Sequence, residues 1–450
     1  MNQRKRVWSL LLAVLLLLSA CQKSDSAPKE DTAPKQQEEQ KEEETPLEPV
    51  ESFDPASYTN AMMLEDYDFF WTTLEENCAT LGLMETKRPL KIEQLKEEYR
   101  ERVATVPDGQ AETFLRIMDD LNGEIRTFAH IQAVSPVLYY RYVDGGVWES
   151  DTQKELFASP LVQGFYSWAQ SLPSVKKELE QVQKTETVED SSDYASNVLL
   201  SREGDTAIIQ LKTLAFYGEE ANQAVIKNLR DFCLENLDAQ DFIIDITGNP
   251  GGNSQIWSEG LEPLWAGKTF THKEVAAYKL GEVNVQMWDG WPENDPDVEL
   301  KSVSDLTAMN YPKLDMESLK DCDGVAIKTF VDDYTDVENP GGKEFEGRIW
   351  ILIDGGVASS AELLVQFAKG NEPCTLVGTQ SGGTSGGMAP PSNMDAAMPN
   401  CGMLVRYSPF YFINEDGTCW DLEGTHPDIE IESGETAMQR CLKEIKKLQK

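Results

Sequence analysis

Apolar residues between Asp54 and Leu138 recur at steps of three and four positions along the chain. This spacing places them on one face of a helix. The two clearest series are Met63, Tyr67, Phe70, Trp71 and Leu74, and Phe114, Ile117, Met118, Leu121 and Ile125. The pattern predicts a small helical N-terminal domain over residues 53–138.

Beyond residue 195 short β-rich runs alternate with helical ones, which predicts an α/β core over residues 195–434. The runs are Thr206–Leu211, Ala221–Leu237, Asp241–Ile246, Arg348–Ile353, Ser360–Lys369 and Thr375–Val377. Two of the β-rich runs are continuously apolar, as is typical of central strands covered on both faces. The segment Gln255–Phe345, rich in Trp, Pro and Asp, is expected to be an insertion with strands of its own.

The segments flanking this core have weaker patterns. Residues 139–194 contain one helical stretch through Trp168 and Leu172 and the polar run Thr185–Asp193, and we expect a linker region there. Residues 435–450 are predicted to form a C-terminal helix.

The N-terminus has the pattern of a lipoprotein signal peptide. A basic stretch at residues 4–6 precedes the apolar run Val7–Leu18, which is short for a membrane span, and Leu-Ser-Ala-Cys follows. We expect cleavage after residue 20 and a lipid on Cys21, with an uncleaved anchor or a plain signal peptide as alternatives. Residues 21–52 are polar and acidic and are predicted to be a disordered tether. This organisation predicts a protein held on the outer face of a bacterial cell membrane.

Composition and charge exclude several classes of function. The 450-residue chain has 40 basic and 78 acidic side chains, a formal net charge of −38, so nucleic acid is not an expected partner. It has no P-loop, no GxGxxG and no HExxH motif, and the seven cysteines after Cys21 lack metal-ligand spacing. We therefore expect no cofactor and no metal, and the cysteine pattern supports no disulfide assignment.

A serine pair stands where a buried strand gives way to a helix. In the stretch Arg348–Lys369 the strand ends at a glycine pair, and Ser359 and Ser360 precede the helical residues. A sharp strand-to-helix turn exposes a hydroxyl near free backbone N–H groups, the arrangement that an acyl-transfer nucleophile needs. Taken alone, either serine is more often a helix cap.

A second loop strengthens the first interpretation. Asn-Pro-Gly-Gly follows directly after the strand in Asp241–Asn253, and adjacent glycines let backbone N–H groups approach a ligand closely. Both loops follow central strands, and α/β sheets build their sites at such strand ends.

Four ordered blocks, IIDITGNPGGN, ILIDGGVASSAELL, TLVGTQSGGTSGG and LEGTHPDIEI, resemble those of the S41 serine peptidases. This family contains the tail-specific and C-terminal processing proteases and their tricorn-like relatives. The resemblance covers residues 205–432. It implies an α/β (α+β) S41 peptidase-like core with a strand-turn-helix nucleophile site that hydrolyses polypeptides through an acyl-enzyme without a cofactor. A PDZ domain is not expected, because residues 139–200 are too few to form one.

The resemblance assigns roles to individual residues. It implies that Ser359 is the nucleophile, ahead of Ser360, and that Glu362 is the acidic residue at the start of the nucleophile helix. The oxyanion hole would consist of the Ser360 backbone N–H and that of Gly251 or Gly252.

The general base differs between branches of the family. Processing proteases carry a lysine in the glycine-rich loop, whereas residues 381–387 here contain none, so a Ser-Lys dyad is not expected. Similarity to the tricorn-like branch implies His130 as base and Glu423 as the acid that orients it. Ala129 stands where that branch has a bridging serine, so the link between His130 and Glu423 is direct, water-mediated or absent.

Other residues and readings are weighed against these. Lys369 is expected to be a solvated surface residue, His272 an exposed polar residue in the insertion, and His426 structural. The leading hypothesis is a membrane-anchored serine peptidase; the alternative is a catalytically silent lipoprotein of the same fold that binds peptides or cell-envelope components. A solute-binding lipoprotein would explain Cys21 but not the four ordered blocks.

Overall fold

The computed structural model describes residues 52–84, 91–125, 128–145, 150–186, 196–216, 219–288, 290–383, 388–389 and 391–449. The predicted signal peptide, Cys21 and the tether up to residue 51 lie outside these residues. The helices are α1 (Asn60–Asn77), α2 (Ile92–Ala104), α3 (Ala111–Ile125), α4 (Pro136–Gly145), α5 (Asp151–Phe157), α6 (Pro160–Ser171), α7 (Pro173–Glu186), α8 (Glu219–Glu235), α9 (Gln255–Gly260), α10 (Glu262–Trp265), α11 (Glu282–Trp288), α12 (Ser360–Ala368) and α13 (Ala437–Leu448). The strands are β1 (Gln132–Ala133), β2 (Val198–Glu203), β3 (Thr206–Leu211), β4 (Asp241–Asp245), β5 (Thr269–Tyr278), β6 (Val298–Lys301), β7 (Gly324–Asp333), β8 (Arg348–Ile353), β9 (Cys374–Gly378), β10 (Met394–Ala397), β11 (Leu404–Tyr407), β12 (Phe410–Phe412) and β13 (Ile429–Glu430).

The central sheet has the strand order β13-β9-β8-β4-β3-β2, parallel except for the antiparallel edge pair β2–β3. On β8, Ile349 and Ile351 pack with residues of α8 and α12 on one face. Trp350 and Leu352 pack with α13 on the other face. Burial on both faces explains the continuously apolar runs and confirms the α/β core.

The insertion supplies most of a second, antiparallel sheet with the order β12-β5-β7-β6. β5 and β7 pair along ten residues each, and β12 completes the sheet from a distant part of the chain. A third, three-stranded sheet has the order β1-β11-β10. Because β11 and β12 are nearly consecutive, they connect the N-terminal region to the insertion.

The N-terminal region is helical, as predicted, but its core is shared with the other sheets. Apolar residues of α1 and α3 belong to one cluster with residues of β5, β7 and β11. The buried Asp66 of α1 accepts hydrogen bonds from the Tyr58 hydroxyl at 2.8 Å and from the backbone N–H of Cys401 at 2.9 Å. The described residues from Ser52 onward accordingly form one compact unit.

The prediction of a linker over residues 139–194 is wrong for most of that segment, which contains the helices α4–α7. Pro160 and Pro173 each stand at the first position of a helix, where the missing N–H costs nothing. Tyr166 of α6 is fully buried, and its hydroxyl donates to the Val134 carbonyl at 2.8 Å and accepts from the Leu404 N–H at 3.0 Å. The predicted helical stretch through Trp168 corresponds to α6.

Candidate active site

The turn between β8 and α12 holds Ser359 in a strained backbone conformation. Its φ is 54° and its ψ −131°, a region that residues other than glycine rarely occupy. Its N–H donates to the Gly383 carbonyl at 3.3 Å. The serine occupies the N-cap position, yet its hydroxyl makes no capping hydrogen bond. The capping explanation therefore does not account for this side chain.

The Asn-Pro-Gly-Gly turn packs directly against Ser359. A Cβ added to Gly251, whose φ is 96°, would lie 2.7 Å from the Ser359 Cβ and 2.9 Å from the Ser360 nitrogen. A Cβ on Gly252, whose φ is 139°, would lie 2.1 Å from the Leu214 carbonyl carbon. Both positions thus require glycine. The structure brings together the two loops that the sequence singled out.

Backbone N–H groups of this pair of loops differ in what they bind. The Gly251 N–H donates to the Asn249 Oδ1 at 2.9 Å, so it is already engaged. Within the described part of the chain, the N–H groups of Ser360 and Gly252 donate to no protein acceptor. Ser360 is the first residue of α12, where helix N–H groups are free to bind an anion. Ser360 with Gly252 is therefore the pair of donors available for an oxyanion.

Glu362, on the first turn of α12, is fully buried. Its Oε1 accepts from the Thr425 N–H at 3.1 Å and from the Thr425 hydroxyl at 2.6 Å. Its Oε2 has no hydrogen-bond partner among the described residues. Burial raises the pKa of Glu362 above its usual value, although the hydrogen bonds oppose this. This carboxyl fastens the nucleophile helix to the loop at Thr425.

His130 lies beside β11 and is not hydrogen-bonded to Ser359. Its φ is 57°, and the carbonyl of the preceding Ala129 accepts from the Ser408 N–H at 2.7 Å. Burial lowers the pKa of His130 to about 4, and the nearby Arg406 guanidinium acts in the same direction. The imidazole is therefore neutral at pH 7, the state that a general base needs.

Glu423 lies in the loop between β12 and β13, where its backbone N–H donates to the Cys419 carbonyl at 2.8 Å. Its charge acts on the pKa of Lys313 and Tyr411. The role of Glu423 as the acid that orients His130 stays a prediction.

Asp421 is a titratable group that the sequence reasoning missed. Burial raises the pKa of Asp421 to about 7. The residue before it, Trp420, packs closely on Gly383: a Cβ added to Gly383 would lie 1.7 Å from the Trp420 carbonyl oxygen. The Gly383 carbonyl in turn accepts the hydrogen bond from the Ser359 N–H. Asp421 thus follows a residue in contact with the loop that holds the nucleophile. In the sequence it stands directly before the block LEGTHPDIEI, and no motif marks it.

Hydrogen bonds connect the buried Cys78 to the backbone beside His130. Asp421 is one of the charges that act on the pKa of the Cys78 thiol, which burial raises. The Cys78 Sγ donates to the Ser408 carbonyl at 3.5 Å, and the Ser408 N–H bonds Ala129, the neighbour of His130. Cys78 is thus linked through the Ser408 backbone to the residue that precedes His130.

The remaining histidines and Lys369 lie elsewhere. The His272 side chain is only 13% exposed, so the expectation of an exposed residue is wrong: the pairing of β5 with β7 stacks its ring on Phe330, at a centroid distance of 4.8 Å. His426 is about half exposed, with Asp416 4.0 Å away. The Lys369 Nζ makes a salt bridge with Asp428 at 2.5 Å and is not a base for Ser359.

The described residues show no sign of a metal centre or a membrane span. Within the described ranges no group of three or more His, Cys, Asp or Glu side chains is placed to hold a metal ion. In that same part of the chain the cysteines are unpaired. No helix among these residues combines the length and the apolar character needed to cross a bilayer.

Comparison with known proteins gives one family and several solved structures. The sequence model of peptidase family S41 matches residues 205–431. No curated protein matches the chain. The chain is similar to a lipoprotein from Streptococcus agalactiae (11% identity, 86% of this chain and 96% of that one, TM-score 0.44). It is also similar to mature CPAF (12%, 82% and 92%, 0.44) and to the photosystem II D1 C-terminal processing protease (10%, 83% and 93%, 0.40).

Proposed function

Since the chain belongs to peptidase family S41, a family of serine peptidases that act on polypeptides, we propose that it cleaves peptide bonds through an acyl-enzyme on Ser359. The observation that carries this proposal is the strained Ser359 turn packed against the Asn-Pro-Gly-Gly loop. In the first step the Ser359 Oγ bonds to the scissile carbonyl carbon, and the carbonyl oxygen becomes negatively charged. The amine then leaves with a proton, and water later releases the acyl group.

The oxyanion forms where the two unengaged N–H groups are. Donation from the backbone of Ser360 and Gly252 would stabilise the tetrahedral intermediate, by about 3–4 kcal/mol for each donor. The glycine-only contact at Gly251 keeps these loops at a fixed separation. A preorganised pair of donors lowers the barrier because nothing has to reorient as the charge develops.

The base is proposed to be His130, which makes the enzyme of Ser-His rather than Ser-Lys type. A pKa of about 4 keeps the imidazole neutral at pH 7, so that it can accept the Ser359 proton. Catalytic hydrogen bonds often tighten only when substrate is bound, which is compatible with the unbonded hydroxyl here. We propose Glu423 as the acid that orients the imidazole, as similarity to the tricorn-like branch implies.

We further propose that the peptidase is anchored by a lipid on Cys21 and acts on extracytoplasmic polypeptides. The support is the basic, apolar and Leu-Ser-Ala-Cys sequence of residues 4–21 and the acidic tether after it. The variant Cys21→Ala should move from the membrane pellet to the soluble fraction of cells. Retention in the pellet would contradict lipid anchoring.

The catalytic proposal is tested with a fluorophosphonate probe and with hydrolysis of fluorescently labelled casein. Wild type should be labelled and should cleave casein, and Ser359→Ala should do neither. Ser360→Ala, which keeps the backbone N–H, distinguishes the two adjacent hydroxyls, and Ser433→Ala is a matched exposed-serine control. A folded wild type that neither reacts nor cleaves would favour the catalytically silent binding protein.

A further inference from the structure

We propose that Asp354 is a positioning residue that holds the oxyanion-donor loop against the nucleophile turn. The inference rests on the proposed function and goes beyond it, because Asp354 was not among the residues assigned a role. It is a partly exposed carboxylate directly after β8, five residues before Ser359.

A single oxygen of Asp354 bonds both loops. Its Oδ1 accepts from the Gly248 N–H at 2.8 Å and from the Gly356 N–H at 2.9 Å. Gly248 lies 106 residues away, on the loop that follows β4, whereas Gly356 lies on the turn of Asp354 itself. The carboxylate therefore connects the loop after β4 with the loop after β8. These two strands are neighbours in the sheet, but the loops lie beyond their paired residues.

Two backbone hydrogen bonds join the same two loops, one on either side of Asp354. On the strand side, the Ile246 N–H donates to the Leu352 carbonyl at 3.1 Å. On the site side, the Ala358 N–H donates to the Asn249 carbonyl at 3.0 Å. Between these two contacts the loops are joined by the Asp354 side chain. The Asp354 side chain thus joins the loop after β4 to the loop after β8 near the end of the sheet.

The loops approach too closely for ordinary side chains at this point. A Cβ on Gly356 would lie 2.8 Å from the Gly248 Cα. Such a close backbone approach leaves two N–H groups pointing into the same small space, and one acceptor has to serve both. An ionised carboxylate suits this arrangement because charge-assisted hydrogen bonds are roughly twice as strong as neutral ones.

The consequence concerns the two oxyanion donors. Ser360 belongs to the turn that Asp354 begins, and Gly252 belongs to the loop that contains Gly248. Loss of the Asp354 bonds would let the two N–H groups drift apart. A displacement of about 1 Å can lower a rate about 100-fold although no reacting atom is changed. Among the residues that the structure describes, the Asp354 carboxylate bonds only backbone N–H groups, so it acts through the donors rather than on the substrate.

The test compares Asp354→Ala and Asp354→Asn in the full chain with a matched control. Asp333→Ala serves as control, because the Asp333 carboxylate also accepts a backbone N–H two residues on, that of Thr335 at 3.0 Å, but at the end of β7. The maximal rate and the half-saturating concentration of fluorophosphonate labelling are measured separately. Hydrogen exchange is followed in residues 247–252 and 354–360.

Asp354→Ala should lower the maximal labelling rate about 10- to 100-fold and leave the half-saturating concentration within about twofold. Asp354→Asn, which keeps an acceptor oxygen, should recover part of the rate, and Asp333→Ala should equal wild type. Exchange should speed up in both loops of Asp354→Ala. Unchanged exchange in that variant, or an unchanged maximal rate in a labelled protein, would overturn the inference. An unlabelled wild type would overturn the proposed function instead, while the exchange measurement would still test the link.

Discussion

Two partly buried titratable groups near the candidate site should give opposite pH dependences of folding stability. His130 has a pKa of about 4 in the folded protein and 6.5 as a free side chain. Between these values the unfolded chain binds more protons, so stability falls as the pH is lowered from 6.5 to 4. Asp421 has a folded pKa of about 7 against an ordinary 3.8. Its contribution is fully present below pH 3.8 and is lost as the pH rises through 7.

The magnitudes follow from the two displacements. At about 1.4 kcal/mol per pH unit, His130 changes the free energy of unfolding by about 3 kcal/mol and Asp421 by about 4 kcal/mol. The two effects oppose each other over nearly the same window in wild type. Removing one group should therefore make the pH dependence that comes from the other group visible. His130→Gln should lose stability as the pH rises from 4 to 7, and Asp421→Asn should lose it as the pH falls from 6.5 to 4.

Urea unfolding between pH 3.5 and 8 measures both curves, with wild type and His426→Gln run alongside. His426 is about half exposed, so its removal should leave the wild-type curve unchanged. The quantity to compare is the difference in unfolding free energy between wild type and each variant at every pH. Differences that do not vary with pH would refute the burial of both groups.

Three further predictions concern the site. Gly251→Ala should reduce fluorophosphonate labelling at least about 100-fold and destabilise the fold by about 1–3 kcal/mol, because its Cβ would lie 2.7 Å from the Ser359 Cβ. Gly434→Ala is the control: Gly434 has a φ of 81° and open space around it, so this variant measures the cost of backbone strain without the contact to Ser359. Glu362→Gln should stay close to wild type in thermal unfolding, because burial raises the pKa of Glu362 and favours its neutral form, whereas Glu362→Ala should lose about 1–3 kcal/mol through unsatisfied donors. The labelling rate should stay level from pH 8 to 5 and fall by half near pH 4, the pKa of His130; a midpoint near 6.5 would contradict that assignment.

The central sheet could be predicted because its signals are local. Continuous apolar runs such as Arg348–Ile353 are long enough to mark buried strands, and the helical steps of α1 and α3 are equally regular. Within residues 136–186 only the helical stretch through Trp168 and Leu172 was predicted, and the other helices begin at a proline or a polar cap without a clear periodic face. The shared core of the N-terminal helices depends on contacts hundreds of residues apart, which no local pattern carries.

The nucleophile turn could be predicted because glycine pairs and a serine stand next to strong strand signals. The choice between Gly251 and Gly252 could not, because it depends on the Asn249 side chain accepting one N–H. Asp421 was missed because no motif marks it, and only the folded chain shows that burial raises its pKa to about 7. Asp354 was missed because its role rests on Gly248, which lies 106 residues away in sequence.

The central claim is that Ser359 is an activated nucleophile. Its most direct test is mass spectrometry of the purified protein after reaction with a fluorophosphonate, in which the serine Oγ–phosphorus bond forms and fluoride leaves. We expect one adduct per chain, found on the peptide that contains Ser359 and lost in Ser359→Ala. An adduct on another residue, or folded protein that remains unmodified, would contradict it.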